Sequence, residues 1–372
     1  DSDAGQTRAL TTTSTGQTTF GGRVGATDKL STLTVNGGTV FDATGATTVS
    51  TTGAQTYTGA VTLKKDTTLS GTDIIFASTV RSDVAGGAAL ETTASGKTRF
   101  VGAVGDAGKA LKSLTTNGLT EIVGGTVITN QHQFYNGAVI LAADTELLSN
   151  NLGTISFAST VDSAAGQNRS LRTTSGGMTF FNGRVGATDK LSTLQVDGTS
   201  MLSVAGTLGA PSIQTTGTQT YVRAVTLNAD TVLSGTTVTF GGVPGGTVDG
   251  AHSLDVLGNA VFKGVVGGST ALTALTVSGT SEFDGGSVTT TGAQTYSNAV
   301  TLKQDATLSG SAITFATTVQ SDVDGAAGLT ATATSGKTLF TGAVGGGGKA
   351  LKSLTTNGTA EIAGGSVTTK NA

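Results

Sequence analysis

Carboxylate and imidazole side chains are the groups of this sequence that could act as general acids, general bases or metal ligands. An aspartate recurs at an equivalent place in four repeats, as Asp66, Asp144, Asp230 and Asp305. A glutamate recurs in the same way as Glu121, Glu282 and Glu361. Hydrolysis of a glycosidic bond requires two carboxylates that flank that bond, whereas these acids recur singly, about 80 residues apart. We therefore expect each aspartate to close a turn by accepting backbone N–H bonds.

The remaining chemical motifs are sparse. The two histidines, His132 and His252, occupy non-equivalent places in the sequence. The segment Gly245-Gly246-Thr247-Val248-Asp249 is a single imperfect copy of the repeat that binds calcium in some solenoids. Runs of threonine such as 11–13 suit strands in general, and a flat ice-binding face needs a stricter spacing. The sequence predicts no enzyme, no cofactor and no metal site.

The composition indicates what kind of fold carries these residues. Glycine supplies 57 of the 372 residues, about twice its average share of roughly 7%. A helical bundle would lose about 1 kcal/mol at each interior glycine, and collagen needs far more proline than the 2 residues present. Threonine and valine are abundant, as in strands. The composition therefore predicts an extended all-β protein.

Charge and hydropathy exclude two classes of partner. The net charge is −3, and the 21 basic residues are scattered rather than clustered, so we expect no nucleic-acid partner. No apolar run reaches the 18 residues or so of a membrane helix, so we expect no membrane insertion. Cysteine is absent and the chain starts at Asp1 without Met, which is compatible with an exported, processed segment.

An internal repeat of about 80 residues is the strongest signal. A Phe-x-Gly-x-Val-Gly motif starts at Phe20, Phe100, Phe181, Phe262 and Phe340. A Tyr-x-x-Ala-Val-x-Leu motif starts at Tyr57, Tyr135, Tyr221 and Tyr296. A Leu-x-x-Leu pair ends at Leu33, Leu114, Leu194, Leu275 and Leu354. We predict one continuous solenoid over 1–372, with units at 1–56 (partial), 57–134, 135–220, 221–295 and 296–372.

Within one unit, short alternating runs such as Thr154-Ile155-Ser156-Phe157 predict half-buried strands. Aromatic residues recur singly at steps near 20, so a unit is predicted to hold about four coils of about 20 residues each. An array of β-sandwiches is the alternative, but sandwiches normally carry proline-bearing linkers, which are not seen between the units. The spacing favours a β-solenoid whose coils stack about 4.8 Å apart.

The segment Gly53-Ala54-Gln55-Thr56-Tyr57, followed by Asp66-Thr67-Thr68-Leu69-Ser70-Gly71, resembles the repeats of filamentous-haemagglutinin-like bacterial adhesins. Gly292-Ala293-Gln294-Thr295-Tyr296 repeats the match. The resemblance implies a right-handed parallel β-helix, secretion across the outer membrane to the cell surface, and a role as stalk or fibre.

The predicted function is structural: the non-enzymatic shaft of a secreted bacterial adhesin or extracellular filament. Its partners would be further repeats of the same chain or neighbouring copies, with any cell-surface glycan or receptor bound by regions outside this segment. One alternative is a self-assembling matrix fibre that grows by head-to-tail stacking of solenoid ends. A solenoid that binds carbohydrate or ice is a further alternative, and a carbohydrate-binding solenoid would require a groove of aromatic or acidic residues on one face.

Overall fold

The structure is a computed structural model that describes residues 1–42, 47–106, 108–242 and 246–371. Its regular elements are strands, and no helix occurs among the residues described. Most strands are three to five residues long and alternate buried and half-exposed side chains, as Gln133–Tyr135 does. This alternation arises because successive side chains of a strand point to opposite faces. The all-β prediction is confirmed.

The chain divides into two compact units, Asp1–Leu191 and Ser192–Ala372. The strands of the first unit are β1 (Leu10–Phe20), β2 (Leu33–Phe41), β3 (Thr47–Ser50), β4 (Gln55–Tyr57), β5 (Val61–Leu63), β6 (Thr67–Gly71), β7 (Ile74–Phe76), β8 (Val80–Ser82), β9 (Leu90–Phe100), β10 (Leu114–Ile122), β11 (Thr126–Thr129), β12 (Gln133–Tyr135), β13 (Val139–Leu141), β14 (Thr145–Ser149), β15 (Ile155–Phe157), β16 (Val161–Ser163), β17 (Leu171–Ser175) and β18 (Met178–Phe181).

The second unit has the same kind of strands. They are β19 (Leu194–Val196), β20 (Thr199–Leu202), β21 (Ile213–Gln214), β22 (Gln219–Tyr221), β23 (Val225–Leu227), β24 (Thr231–Phe240), β25 (Val248–Asp249), β26 (Ser253–Phe262), β27 (Ala274–Val277), β28 (Ser281–Phe283), β29 (Ser287–Thr289), β30 (Gln294–Tyr296), β31 (Val300–Leu302), β32 (Ala306–Gly310), β33 (Ile313–Phe315), β34 (Val319–Ser321), β35 (Leu329–Phe340) and β36 (Leu354–Ile362).

Most strands pair in parallel with a strand one turn further along the chain. In the first unit β4, β5 and β6 form three successive sides of one turn, and they pair with β7, β8 and β9 of the next turn. Both units are therefore β-solenoids, as predicted. The described residues make about 16 turns of roughly 22 residues each, so the turn is slightly longer than the predicted coil of about 20.

One repeat holds close to the predicted four coils, but not a whole number of them. Each turn has three sides. In chain order, the inward-facing side chains on successive sides from Tyr57 to Tyr135 are Tyr57, Leu63, Leu69, Phe76, Ser82, Thr92, Phe100, Val104, Thr116, Ile122, Val127 and Tyr135. Tyr135 therefore lies eleven sides after Tyr57, which is three turns and two further sides.

Equivalent residues of consecutive repeats therefore lie on different faces. In the first unit Tyr57 belongs to the inward row Val35, Tyr57, Phe76, Phe100 and Ile122. Tyr135 belongs to the row Leu69, Thr92, Thr116, Tyr135, Phe157 and Phe181. The second unit repeats the pattern, because Tyr221 stands in line with Phe240 and Phe262 while Tyr296 stands in line with Phe315 and Phe340.

The core consists of these inward rows. Aromatic rings stack from turn to turn, and the ring centres of Tyr135 and Phe157 are 5.3 Å apart while those of Phe157 and Phe181 are 5.4 Å apart. All three side chains are at most 1% exposed. Such a stack adds offset ring–ring attraction to the burial of apolar area.

We predict that Phe157→Ala lowers the free energy of unfolding by about 3–5 kcal/mol, because it leaves a ring-sized cavity between two buried rings. The measurement is the urea unfolding curve of the purified chain. Phe134→Ala, which truncates a half-buried ring on the outer surface, is the matched control and should cost less. Equal losses for the two variants would contradict the assignment of Phe157 to the core.

Candidate functional site

The recurring aromatic residues occupy the core, and the structure does not bring them together into one site. Phe20 is 8% exposed, and the other phenylalanines of the repeat motif, Phe100, Phe181, Phe262 and Phe340, are fully buried. The tyrosines Tyr57, Tyr135, Tyr221 and Tyr296 are also fully buried. Of the recurring leucines, Leu33, Leu114, Leu194 and Leu275 are buried at the starts of their strands, while Leu354 is half-buried in β36.

The recurring aspartates bind backbone N–H groups, as the sequence predicts. The Oδ1 atoms accept from Ala89 N (Asp66), Ser170 N (Asp144), Ser253 N (Asp230) and Gly328 N (Asp305), at 2.8–2.9 Å. The donor lies 23 to 26 residues later in the chain, so it belongs to the next turn rather than to the aspartate's own turn. Each aspartate therefore joins two turns at a corner, and the carboxylates lie one per repeat instead of in pairs.

Two of these carboxylates titrate below their ordinary range. The backbone N–H of Ser253 lowers the pKa of Asp230. The Lys352 ammonium, 2.9 Å from Asp305 Oδ2, and the N–H of Gly328 lower the pKa of Asp305. Both shifts favour the charged form.

The recurring glutamates form ion pairs with the neighbouring turn. Glu121 Oε2 lies 2.7 Å from Lys97 Nζ and 3.3 Å from Arg99 Nε. Glu282 pairs with Lys303 at 2.7 Å, and Glu361 pairs with Lys337. The cationic partners are 38–47% exposed, and ion pairs this accessible to solvent contribute little to stability.

The two histidines have separate local roles. His132 Nδ1 accepts from Thr154 N at 3.2 Å, and its ring stacks on Phe134 with ring centres 5.3 Å apart. His252 Nδ1 lies 3.5 Å from Asp230 Oδ1. Among the described bonds, neither histidine ring is bonded to a side-chain hydroxyl.

A buried polar cluster recurs once in each repeat, and sequence analysis missed it. In the clearest case, the Tyr135 hydroxyl donates to Gln133 Oε1 at 3.0 Å. Gln133 Nε2 lies within hydrogen-bond distance of Val127 O, Thr129 Oγ1 and Leu148 O at 3.2, 3.3 and 2.9 Å. Because Leu148 belongs to the next turn, one glutamine fastens a corner to the turn that follows. We call this the Gln–Tyr–Thr cluster.

The other repeats carry the same cluster with the same geometry. Its members are Gln55, Tyr57 and Thr51, then Gln219, Tyr221 and Thr215, and then Gln294, Tyr296 and Thr290. All four glutamines and all four tyrosines are fully buried, and burial raises the pKa of each tyrosine phenol. The sequence does contain a signal for this cluster, because a glutamine lies two residues before each motif tyrosine. A search for apolar periodicity does not register that glutamine.

Shallow hollows on the surface are lined mainly by hydroxyl groups. One of 410 Å³ is bordered by Lys29, Thr51, Thr52, Ser70 and neighbouring residues. Another of 290 Å³ contains the carboxylates of Asp144 and Glu146. Asp144 already accepts from Ser170 N, and Glu146 Oε1 lies 3.2 Å from Arg172 Nη1, so both acids are bound to the protein's own groups.

In residues 1–42, 47–106, 108–242 and 246–371, no group of three or more His, Asp or Glu side chains could hold a metal ion. Val243, Pro244 and Gly245 lie outside the described residues, so the calcium-like segment at 245–249 is described only from Gly246. The described part of the chain also contains no helix with the length and hydropathy of a membrane span.

No protein-family model, no curated protein and no solved structure matches the chain. The resemblance to filamentous-haemagglutinin-like adhesins therefore stays a prediction. The fold and the bonds between turns are what any functional proposal for this chain must rest on.

We predict strong coupling within the Gln–Tyr–Thr cluster. Tyr135→Phe leaves Gln133 Oε1 buried without its donor, and Gln133→Leu leaves the Tyr135 hydroxyl without an acceptor, so each single variant should lose about 1–3 kcal/mol. The double variant removes both of these partners and should lose less than the sum. Urea unfolding of the four proteins gives the coupling energy, and additive losses would refute the cluster.

Acid should destabilise the chain through the corner aspartates. Because the folded-state pKa values of Asp230 and Asp305 lie below the ordinary 3.8, their stabilisation is present above that pH and is lost as the pH falls through the folded-state values. Asp230→Asn with Asp305→Asn should be less stable at neutral pH and lose less on acidification. Thermal unfolding midpoints between pH 7 and about pH 2 measure this, and parallel curves for the two proteins would contradict it.

Proposed function

We propose that this chain is a structural, non-enzymatic shaft segment of a secreted bacterial surface adhesin or extracellular filament. The observation that carries the proposal is that the residues recurring once per repeat bind or stack against residues of a neighbouring turn. The recurring phenylalanines and tyrosines stack across turns, the aspartates accept N–H bonds from the next turn, and the glutamines bridge to the next turn. The repeat therefore encodes cohesion along the solenoid axis.

Mechanically, such a chain suits load-bearing. Each strand is bonded to the next turn through its backbone, so stability accumulates from neighbouring turns. The corner aspartates and the Gln–Tyr–Thr clusters add side-chain bonds at the places where the backbone ladder is interrupted. A solenoid built this way can grow by adding repeats without a new core design.

Immunogold electron microscopy of source cells, with an antibody raised against this chain, tests the proposal. The expected result is label outside the cell envelope, distributed along fibres. Label confined to the cytoplasm would overturn it. Electron microscopy of the purified chain over a range of concentrations distinguishes a shaft segment from a self-assembling matrix fibre. Filaments that lengthen with concentration would favour the matrix fibre.

A further inference from the structure

Two aromatic residues lie outside the core, and both belong to the first unit. The chain contains 13 Phe and 4 Tyr, and all but two are buried; the buried phenylalanines are Phe20, Phe41, Phe76, Phe100, Phe157, Phe181, Phe240, Phe262, Phe283, Phe315 and Phe340. The two exceptions are Phe134 and Phe180, which are half-buried on outward positions.

These two rings share one outward row. Phe134 pairs in register with Ser156 of the next turn, and Ser156 pairs with Phe180 of the turn after it. Two strand spacings separate the rings, a distance of about 10 Å along the solenoid axis. We call Phe134, Ser156 and Phe180 the aromatic row.

The same row in the other repeats is not aromatic. It reads Thr56, Ile75 and Arg99 in the first unit, and Thr220, Thr239 and Val261 or Thr295, Thr314 and Leu339 in the second unit. Fold stability therefore does not require aromatic side chains at these outward positions. Their presence in one repeat needs another explanation.

The corner that leads into the row also departs from the repeat. The chain takes ten residues from Leu147 to Phe157, against seven from Leu69 to Phe76. Among the described residues, the non-glycine positions with positive φ are Asn151 at 47° and Leu152 at 61°, and both lie in this longer corner. Leu152 is 80% exposed. Backbone strain of this kind concentrates at functional sites.

The longer corner coincides with one residue change, from a glycine to a serine. A Cβ atom at Gly71 would lie 2.6 Å from Thr51 Oγ1 and 2.7 Å from Gly53 O, so the common corner has no room for a side chain. The second repeat has Ser149 at this place, with its hydroxyl bonded to Gln131 O. The longer corner follows directly after Ser149 and contains the exposed Leu152.

The outward line that contains the row is uncharged on both sides of Phe134. Along the same outward line, Thr115 precedes Phe134 and is itself preceded by Glu91, so no charged residue lies between Glu91 and Phe180. At the ends of the Phe134 strand are His132, stacked on the Phe134 ring, and Asn136, whose Nδ2 donates to Asn117 Oδ1 at 2.7 Å. Aromatic faces bordered by amides and hydroxyls can bind a ligand that has both apolar surface and many hydroxyl groups.

We propose that the aromatic row binds a neutral, extended polysaccharide of the cellulose or chitin type, lying along the solenoid axis. The apolar faces of two sugar rings pack on Phe134 and Phe180, whose separation is comparable to the length of one disaccharide. Ser156 and Asn136 supply hydrogen bonds to hydroxyl groups. Single-stranded nucleic acid is disfavoured, because binding it requires a basic groove beside the aromatic rings. This inference does not depend on the proposed role as a shaft.

Isothermal titration calorimetry of the purified chain with cellohexaose and with chitohexaose tests the proposal. At least one of the two should bind, and Phe134→Thr combined with Phe180→Thr should weaken that binding at least tenfold. Threonine is chosen because the other repeats carry it at the Phe134 position and Thr19 occupies the Phe180 position in the first repeat. The matched control is Ile75→Thr, which removes an outward apolar side chain from the row of another repeat and should leave binding unchanged.

Unfolding curves in urea must show that the double variant remains folded with the wild-type cooperativity. Absence of heat with both hexasaccharides would overturn the proposal, as would equal affinity in the double variant. Self-association of the wild-type chain that disappears in the double variant, without any sugar binding, would also overturn it and assign the row to a second copy of the chain.

Discussion

The structure depends on one constraint, which is the register between successive turns. Parallel pairing sets turns about 4.8 Å apart, so every inward side chain must lie directly on the side chain of the turn before it. Stacked ring pairs, with centres 5.0–5.6 Å apart, satisfy this spacing without strain. Phe, Tyr, Val and Leu side chains can therefore stack in rows from turn to turn, because the backbone register places each inward side chain on the one in the turn before it.

The corners are where this constraint is hardest to meet, since there the chain changes direction and backbone groups lose their partners on the strand ladder. The repeat places its polar residues at these corners. Asp144 reaches Ser170 of the next turn, and Gln133 reaches Leu148. The outward positions carry no comparable demand. They accept Thr, Ile, Arg, Val or Phe, so a repeat can acquire a binding surface such as the aromatic row without disturbing the core.

The sequence predicted the all-β solenoid, because alternation of buried and exposed residues reports which side chains face inward. It also predicted that the aspartates accept backbone N–H bonds, but not that the donors lie in the next turn. It did not predict that a repeat spans eleven sides of the solenoid, so that consecutive repeats begin on different faces. The number of residues between two aromatic residues gives the length of chain between them and does not say on which face each one lies. The Gln–Tyr–Thr cluster was missed because glutamine is normally a surface residue. The aromatic row was missed because Phe134 and Phe180 each lie beside a core aromatic, Tyr135 and Phe181.

Engineered disulfides test the eleven-sided repeat most directly, since the chain has no cysteine of its own. A repeat of four whole coils would set Ile122 against Tyr135, and Glu121 against Phe134. The structure instead pairs Glu121 with Ile140 and Thr115 with Phe134, at a strand spacing that permits a disulfide. After mild oxidation, mass spectrometry should find the bond in Glu121→Cys/Ile140→Cys and not in Glu121→Cys/Phe134→Cys. The reverse result would contradict the account.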